Sequence, residues 1–289
     1  MSFSTRIKAG ARGSALSRAQ LEEVLHELRQ YHPEVAFDPI WMETTGDIDL
    51  KTSLRHLEKT DLFTKEIDTL QLLGHCRISI HSAKDLPDPL PHGLELIALT
   101  KGVDPSDSIV LRDNEWLHIL RGGDFFRFCQ RESSANPSPE EGAVWNNTAP
   151  SSGEGFAGFD VAKTKKHTAA QYTLPNGAKI GTSSVRREQN VKALREDLVC
   201  VDIRGTILTR LALLDRGDVD GVVIAEAALI RLKLTHRQRI LLPGPRAALQ
   251  GQLAILALER DEEMRELFRC IDGRQDENNL ISRDRSGAL

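Results

Sequence analysis

The chain has no excess of positive charge. Its 38 lysines and arginines are outnumbered by 42 acidic residues, which gives a net charge of −4 and a pI near 6.2. A general nucleic-acid binder usually carries a basic surplus instead. There is no apolar run near the ~20 residues that a membrane helix needs. Met1-Ser2-Phe3-Ser4-Thr5-Arg6 lacks the apolar stretch of a secretory signal. The cysteines, Cys76, Cys129, Cys200 and Cys270, lie far apart with no Cys-x-x-Cys spacing. That argues against a zinc site or a disulfide framework and for a reducing compartment. These absences together predict a cytoplasmic protein that binds no nucleic acid, no membrane and no metal.

What is there is a globular composition, 40% hydrophobic and 28% charged over 289 residues, long enough for two ordinary domains. Arg6 to Ala9 reads as a strand, broken at Gly10 and Gly13, after which Ser14 can cap a helix over Ala15 to Tyr31. Leu21, Val24, Leu25 and Leu28 repeat at helical spacing, so one face of that helix belongs to a core. Val35 to Met42, a helix near Thr64 to Leu73, and the strand Ile78 to His81 continue the pattern. Helices alternating with short apolar strands predict an α/β fold with a mostly parallel sheet.

From Asp113 to Thr173 the pattern fails, and Ser133 to Gly158 is crowded with Ser, Pro, Asn and Gly. This stretch reads as a flexible insertion. Order returns at Leu174. Strand, helix, strand and helix follow at Lys179–Ile180, through Leu194, at Val199 to Ile203 and at Thr206 to Leu214, then a strand at Val219 to Ile224 and a helix at Ala225 to Leu232. The second half repeats the grammar of the first, which predicts two α/β lobes with a cleft between them.

Strand-to-helix junctions carry polar residues that an α/β core does not require: Arg12-Gly13-Ser14, His81 to Pro87, Gly181 to Ser184 followed by Arg186-Arg187, and Arg204-Gly205-Thr206 with Arg210 beyond. Ligands of open parallel sheets bind beyond the carboxyl ends of strands, so these junctions mark a cleft. Hydroxyls and free N–H groups at helix starts favour an anion, and arginines add bidentate recognition of carboxylates. The pattern describes a ligand with several carboxylates, with Asp85 as one acid among cations, placed to stabilise positive charge developing on it. Each feature also has a plain structural reading: Ser14 and Thr206 as helix caps, the Arg186-Arg187 pair as a solvated face, Asp85 as a turn cap, His81 as strand-end packing, and Cys76 and Cys200 as small core residues.

HSAKDLP (His81 to Pro87), IGTSSVRR (Ile180 to Arg187), DIRGTILTRL (Asp202 to Leu211) and LQGQLAI (Leu249 to Ile255) resemble the porphobilinogen deaminase (hydroxymethylbilane synthase) family. TGD (Thr45 to Asp47), DLFTKE (Asp61 to Glu66) and DPSD (Asp104 to Asp107) fit the same order. The likeness spans Arg6 to Arg112 and Leu174 to Leu267. It implies two lobes like those of periplasmic binding proteins: residues 1–112 plus 246–269 as the first lobe and 174–245 as the second. The insertion at 113–173 and the short tail at 270–289, where the family has a third domain, depart from its pattern.

The activity the resemblance implies is tetrapyrrole synthesis, in which four porphobilinogen units lose ammonia and couple head to tail into hydroxymethylbilane, on a dipyrromethane cofactor. By resemblance Asp85 is the catalytic carboxylate. Arg12, Lys84, Arg186, Arg187, Arg204, Arg210 and Arg231 would bind the acetate and propionate side chains. Ser14, Ser82, Thr182, Ser183 and Ser184 would position the same chain, and Phe63 would lie in a mobile segment over the cleft. The partner is then the small molecule porphobilinogen, and the expected state is a monomer.

The chain also departs from the family pattern. The family's Gly-Gly-Cys, whose cysteine carries the dipyrromethane, is not found. Cys270, in FRCIDGR, is the substitute to consider. Lys59-Thr60-Asp61 stands where Gly-Lys-Gly is usual, and His56 where a lysine is expected. The reading is a truncated porphobilinogen deaminase acting in tetrapyrrole synthesis, whose arginines could grip a multiply charged primer without a covalent anchor. The alternative is a non-catalytic two-lobe remnant that holds a pyrrole or another polycarboxylate. A nucleic-acid or protein scaffold has only the insertion to support it.

Overall fold

The computed structural model describes residues 5–49, 52–53, 55, 61–112 and 174–274. The predicted insertion, residues 275–289 of the tail, Cys129, His56, Lys59 and Thr60 lie outside the described residues.

The chain opens with β1 (Thr5–Arg12), α1 (Ala15–Arg29) and β2 (Val35–Met42). The short α2 (Thr45–Ile48), α3 (Lys65–Leu72) and β3 (Ile78–Ser82) follow, then a 3-10 turn at Ala83–Asp85 and β4 (Leu94–Leu99). Ser14 starts α1, its Oγ accepting a hydrogen bond from the Ser17 backbone N–H at 3.2 Å. The helix buries Leu21, Val24, Leu25 and Leu28 against the sheet, the face that the spacing predicted. Each such side chain contributes about 1.5–3 kcal/mol on burial. Gly10 does not break β1 as predicted. The strand runs on to Arg12, and glycine is required inside it because a Cβ there would come within 2.9 Å of the Cys76 Sγ.

The remaining elements are β5 (Asp107–Leu111), β6 (Lys179–Gly181), α4 (Val185–Leu194), β7 (Val199–Val201), α5 (Ile207–Arg216), β8 (Gly221–Ala225), α6 (Glu226–Arg231), β9 (Arg239–Leu242), β10 (Leu253–Leu258) and α7 (Glu262–Phe268). Among the described residues the strands form two five-stranded sheets, β2-β1-β3-β10-β4 and β7-β6-β8-β5-β9. Each sheet has its own core. The first is closed by the stacked rings of Phe37 and Phe268, 6.3 Å apart. The second is covered on both faces.

The sheets are mixed, not mostly parallel. In the first, β1 pairs in parallel with β2 and β3, while β10 lies antiparallel between β3 and β4. In the second, β6 pairs in parallel with β7 and β8, while β5 lies antiparallel between β8 and β9. The cause is an exchange of strands: the chain crosses to the second sheet to form β5 and returns to the first to form β10. Both exchanged strands are buried almost throughout, so they carry no alternation of polar and apolar residues to announce them. The two crossings touch, with Val103 donating its backbone N–H to the Gly251 carbonyl at 3.2 Å. No helix among the described residues is long and apolar enough to cross a membrane.

Candidate functional site

The carboxyl ends of β1, β3 and β6, the turn after β7 and the end of α6 all face one cavity of about 490 Å³ between the two sheets. That volume lies within the range of small-molecule sites. β1 delivers Arg12 and Ser14, and β3 delivers Ser82, Lys84 and Asp85. From the other sheet, the β6 end and α4 bring Ser183, Ser184, Arg186 and Arg187. Arg204 comes from the β7–α5 junction and Arg210 from the first turn of α5, Arg231 ends α6, and Phe63 lines one side.

The cations differ in how far they are already engaged. Arg12 is paired with Asp47, Nε to Oδ2 at 3.1 Å, and lies over the Phe63 ring. Arg186 and Arg187 share Asp107, at 2.9 and 2.6 Å. Arg231 is almost fully buried and bound to Glu23 of α1 at 2.7 and 2.9 Å, with a further bond to the Gly251 carbonyl at 2.8 Å. Arg204 donates across the cleft to the backbone carbonyls of Asp49 at 2.6 Å and Gly46 at 3.3 Å. Arg210 reaches the Gly205 carbonyl at 2.9 Å. Burial, with Arg187 and Arg204 close by, brings its pKa down to about 10. The half-buried Lys84 makes no hydrogen bond to the described residues; burial and Arg187 press its ammonium group below the ordinary lysine value. The Nε–H groups of Arg187 and Arg204 are buried without a partner among the described residues.

Among the described residues two acids line the cavity, Asp47 and Asp85. Burial works to raise the Asp47 carboxyl, but the Arg12 guanidinium and the Thr44 donors hold it below the ordinary aspartate value. Asp85 accepts no hydrogen bond from the described residues. It is the acid of the cavity left available to a ligand. The hydroxyls are partly occupied as well: Ser14 caps α1, Ser184 caps α4, Ser82 accepts from Gln20 Nε2 at 2.8 Å, and Ser183 donates to the Ile203 carbonyl.

Thr182 is not among the residues that line the cavity. It is 1% exposed; its backbone N–H pairs with Val201 and its Oγ1 accepts from the Ser184 N–H. It shapes the turn behind the wall. Cys270 is not in the wall either. It packs on the core of the first sheet, and its thiol donates to the Leu267 carbonyl at 3.4 Å, with burial raising its pKa. Thr206 caps α5 through a bond from the Thr209 N–H at 3.2 Å and also lines the cavity, so its two readings coexist. His81 is buried in the sheet, with Nε2 3.0 Å from Ser79 Oγ and 3.5 Å from Asp68. Cys76 is a buried core residue, its thiol pushed up to about 11 by burial.

Sequence reasoning did not single out Gln20, Glu23, Asp47, Asp107 or Gln250 as partners of the cleft. Asp47 and Asp107 stand inside TGD and DPSD, so the motifs marked the positions, but the arginines they pair with are distant in sequence.

The model of the family described as porphobilinogen deaminase, dipyromethane cofactor binding domain, matches residues 7–125 and 159–266. The chain is 32% identical over 262 residues to a probable porphobilinogen deaminase of Chlamydia pneumoniae, covering 91% of this chain and 88% of that protein. It is 33% identical over 270 residues to the porphobilinogen deaminase of Desulforudis audaxviator (strain MP104C), and 30% over 270 residues to that of Prochlorococcus marinus (strain NATL1A). Both alignments cover 92% of this chain and 70% of the relative. A cavity ringed by cations with one available carboxylate, together with these matches along nearly the whole chain, makes the chain a member of the porphobilinogen deaminase family.

Proposed function

We propose that the chain is a hydroxymethylbilane synthase, a transferase that joins four porphobilinogen units in the synthesis of porphyrins and haem. The observation that carries this reading is Asp85: a cavity acid without a hydrogen-bond partner among the described residues, set among side chains of Lys84, Arg12, Arg204 and Arg210. Porphobilinogen is a pyrrole with acetate and propionate arms and an aminomethyl group. Loss of ammonia leaves a cationic, electrophilic pyrrole, and a fixed carboxylate beside its ring nitrogen stabilises that charge without reorganising at the moment of reaction. The cations bind the arms, and the two lobes hold the reacting carbons together.

The site also suits a dipyrromethane. Its volume, the Nε–H groups of Arg187 and Arg204 that have no partner among the described residues, and the excess of cations match a ligand with several carboxylates. When bound, that group supplies the pyrrole carbon to which new units are added. Arg187, Arg204, Arg210 and Lys84 would hold its arms, and Asp85 its ring nitrogens. Cys270 lies outside the cavity wall, which supports a primer gripped by ion pairs within the described residues. The strand exchange and the cleft support two lobes of the periplasmic-binding-protein kind. The working unit is a single chain in the cytoplasm, acting on a small molecule and on neither nucleic acid nor membrane.

The test is product formation from porphobilinogen by the purified protein, with substrate loss and oxidised porphyrin followed together. Turnover is expected. Binding without turnover would overturn the reading in favour of a two-lobe polycarboxylate-binding protein.

A further inference from the structure

We infer that Asp107, the first residue of β5, is a positioning residue of the cleft, its carboxylate fixing the heads of Arg186 and Arg187 at the wall where they meet the ligand. This rests on the reading of the cleft as a seat for a polycarboxylate.

Asp107 is 2% exposed and is not among the residues that line the cavity, so it acts through other side chains. Its Oδ2 accepts from Arg186 Nη2 at 2.9 Å; its Oδ1 accepts from Arg187 Nη2 at 2.6 Å and from Gln250 Nε2 at 3.0 Å. The donors come from separate places: two from the first turn of α4 and one from the segment returning to the first sheet. Asp107 itself begins the strand that crossed over, so one carboxylate joins both crossings to the anion-binding helix. Arg186 is further held by the Pro245 carbonyl at 2.6 Å and Arg187 by that of Val223 at 3.5 Å. Two guanidiniums side by side repel, and the repulsion grows as water is excluded. A shared buried carboxylate lets both heads stay side by side at the wall. An amide in its place accepts from one and presents a donor to the other, so one head must swing away.

The same carboxylate acts on Lys84. That ammonium group faces Asp85 from its own turn, Arg186 and Arg187 from α4, and Asp107 from β5. Burial and Arg187 lower its pKa, while Asp85 and Asp107 oppose them. Loss of the Asp107 charge therefore favours proton loss from Lys84 at a lower pH.

The experiment compares the wild type with Asp107→Asn and Asp107→Glu, each checked by thermal melting. It uses porphobilinogen turnover across pH and calorimetric binding of citrate as a tricarboxylate probe. Asp107→Asn is expected to raise KM at least tenfold, with a smaller change in kcat, and to move the alkaline limb of kcat/KM to lower pH. Asp107→Glu keeps the charge but displaces it by one methylene. It is expected to leave the limb in place and still raise KM. A folded Asn variant with wild-type KM and an unmoved limb overturns the assignment. If the Asn variant does not fold, a Glu variant with wild-type KM overturns it. If the wild type turns over no porphobilinogen, the functional reading fails by itself, and citrate decides Asp107. Binding at least tenfold weaker in the folded variant supports the assignment; equal or tighter binding, or none in the wild type, overturns it.

Discussion

Arg12 holds its guanidinium 4.5 Å above the centroid of the Phe63 ring while paired with Asp47. The ring is pressed in turn against Gly46, where any Cβ would overlap it. The glycine of the TGD sequence is thus a space requirement, and the aromatic ring is part of the frame that aims a cation into the cleft. A cation–π contact at a partly exposed site is worth about 0.5–1 kcal/mol. Phe63→Leu is therefore expected to raise KM for porphobilinogen by roughly two- to fivefold, and Gly46→Ala to do at least as much by displacing the ring. Steady-state kinetics at fixed pH measures both.

Asp85→Asn keeps the shape of the side chain and removes its charge. Loss of one preorganised electrostatic stabiliser costs about 10²–10³ in kcat in comparable cases, and a drop of that order is expected. The melting temperature should stay put, because Asp85 holds no hydrogen bond within the described residues. Normal turnover would remove Asp85 from the chemistry.

Arg204→Leu removes the donor that reaches the carbonyls of Gly46 and Asp49 from the opposite sheet. Retention of a bound oligopyrrole is expected to fall, read as weaker colour with an aldehyde reagent for pyrroles after gel filtration. Unchanged colour would place Arg204 outside the grip.

Acidification should loosen the cleft before the cores. Asp47 and Asp107 both have carboxyls held below the ordinary aspartate value by their arginines, against burial that would raise them. Such groups contribute stability that is present above the unfolded value, about 3.9, and is lost as pH falls through the lower folded value. Melting temperature is expected to drop below about pH 4, and Asp107→Asn to reduce that drop. A pH profile identical in the variant would show that Asp107 carries none of it.

Cys270→Ser is expected to leave pyrrole content unchanged, since the thiol is turned into the core and hydrogen-bonded to Leu267. The denatured wild-type protein should have the mass of the bare chain. A mass increment equal to a dipyrromethane, lost in Cys270→Ser, would make Cys270 the anchor.

Much of the fold and of the cleft is legible in the amino-acid sequence. The core face of α1 follows from its leucine spacing, and the junction residues Arg12, Lys84, Asp85 and Arg204 stand out as polar groups just where strands give way to helices. The antiparallel insertion of the exchanged strands is not legible. β5 and β10 are buried on both faces, and antiparallel insertion beside a parallel pair leaves no local mark in composition.

Local sequence thus determined which elements form and which polar residues stand at their ends, because capping and periodicity act within a few residues. It also determined the family, through long motifs in unbroken order. Only the tertiary structure decided which cations are free. Arg231 meets Glu23 from 208 positions away, and Arg187 meets Asp107 from 80. Ion pairs of that separation follow from how two sheets are brought together. The charge left over for a ligand is therefore a property of the assembled cleft, which no single segment encodes.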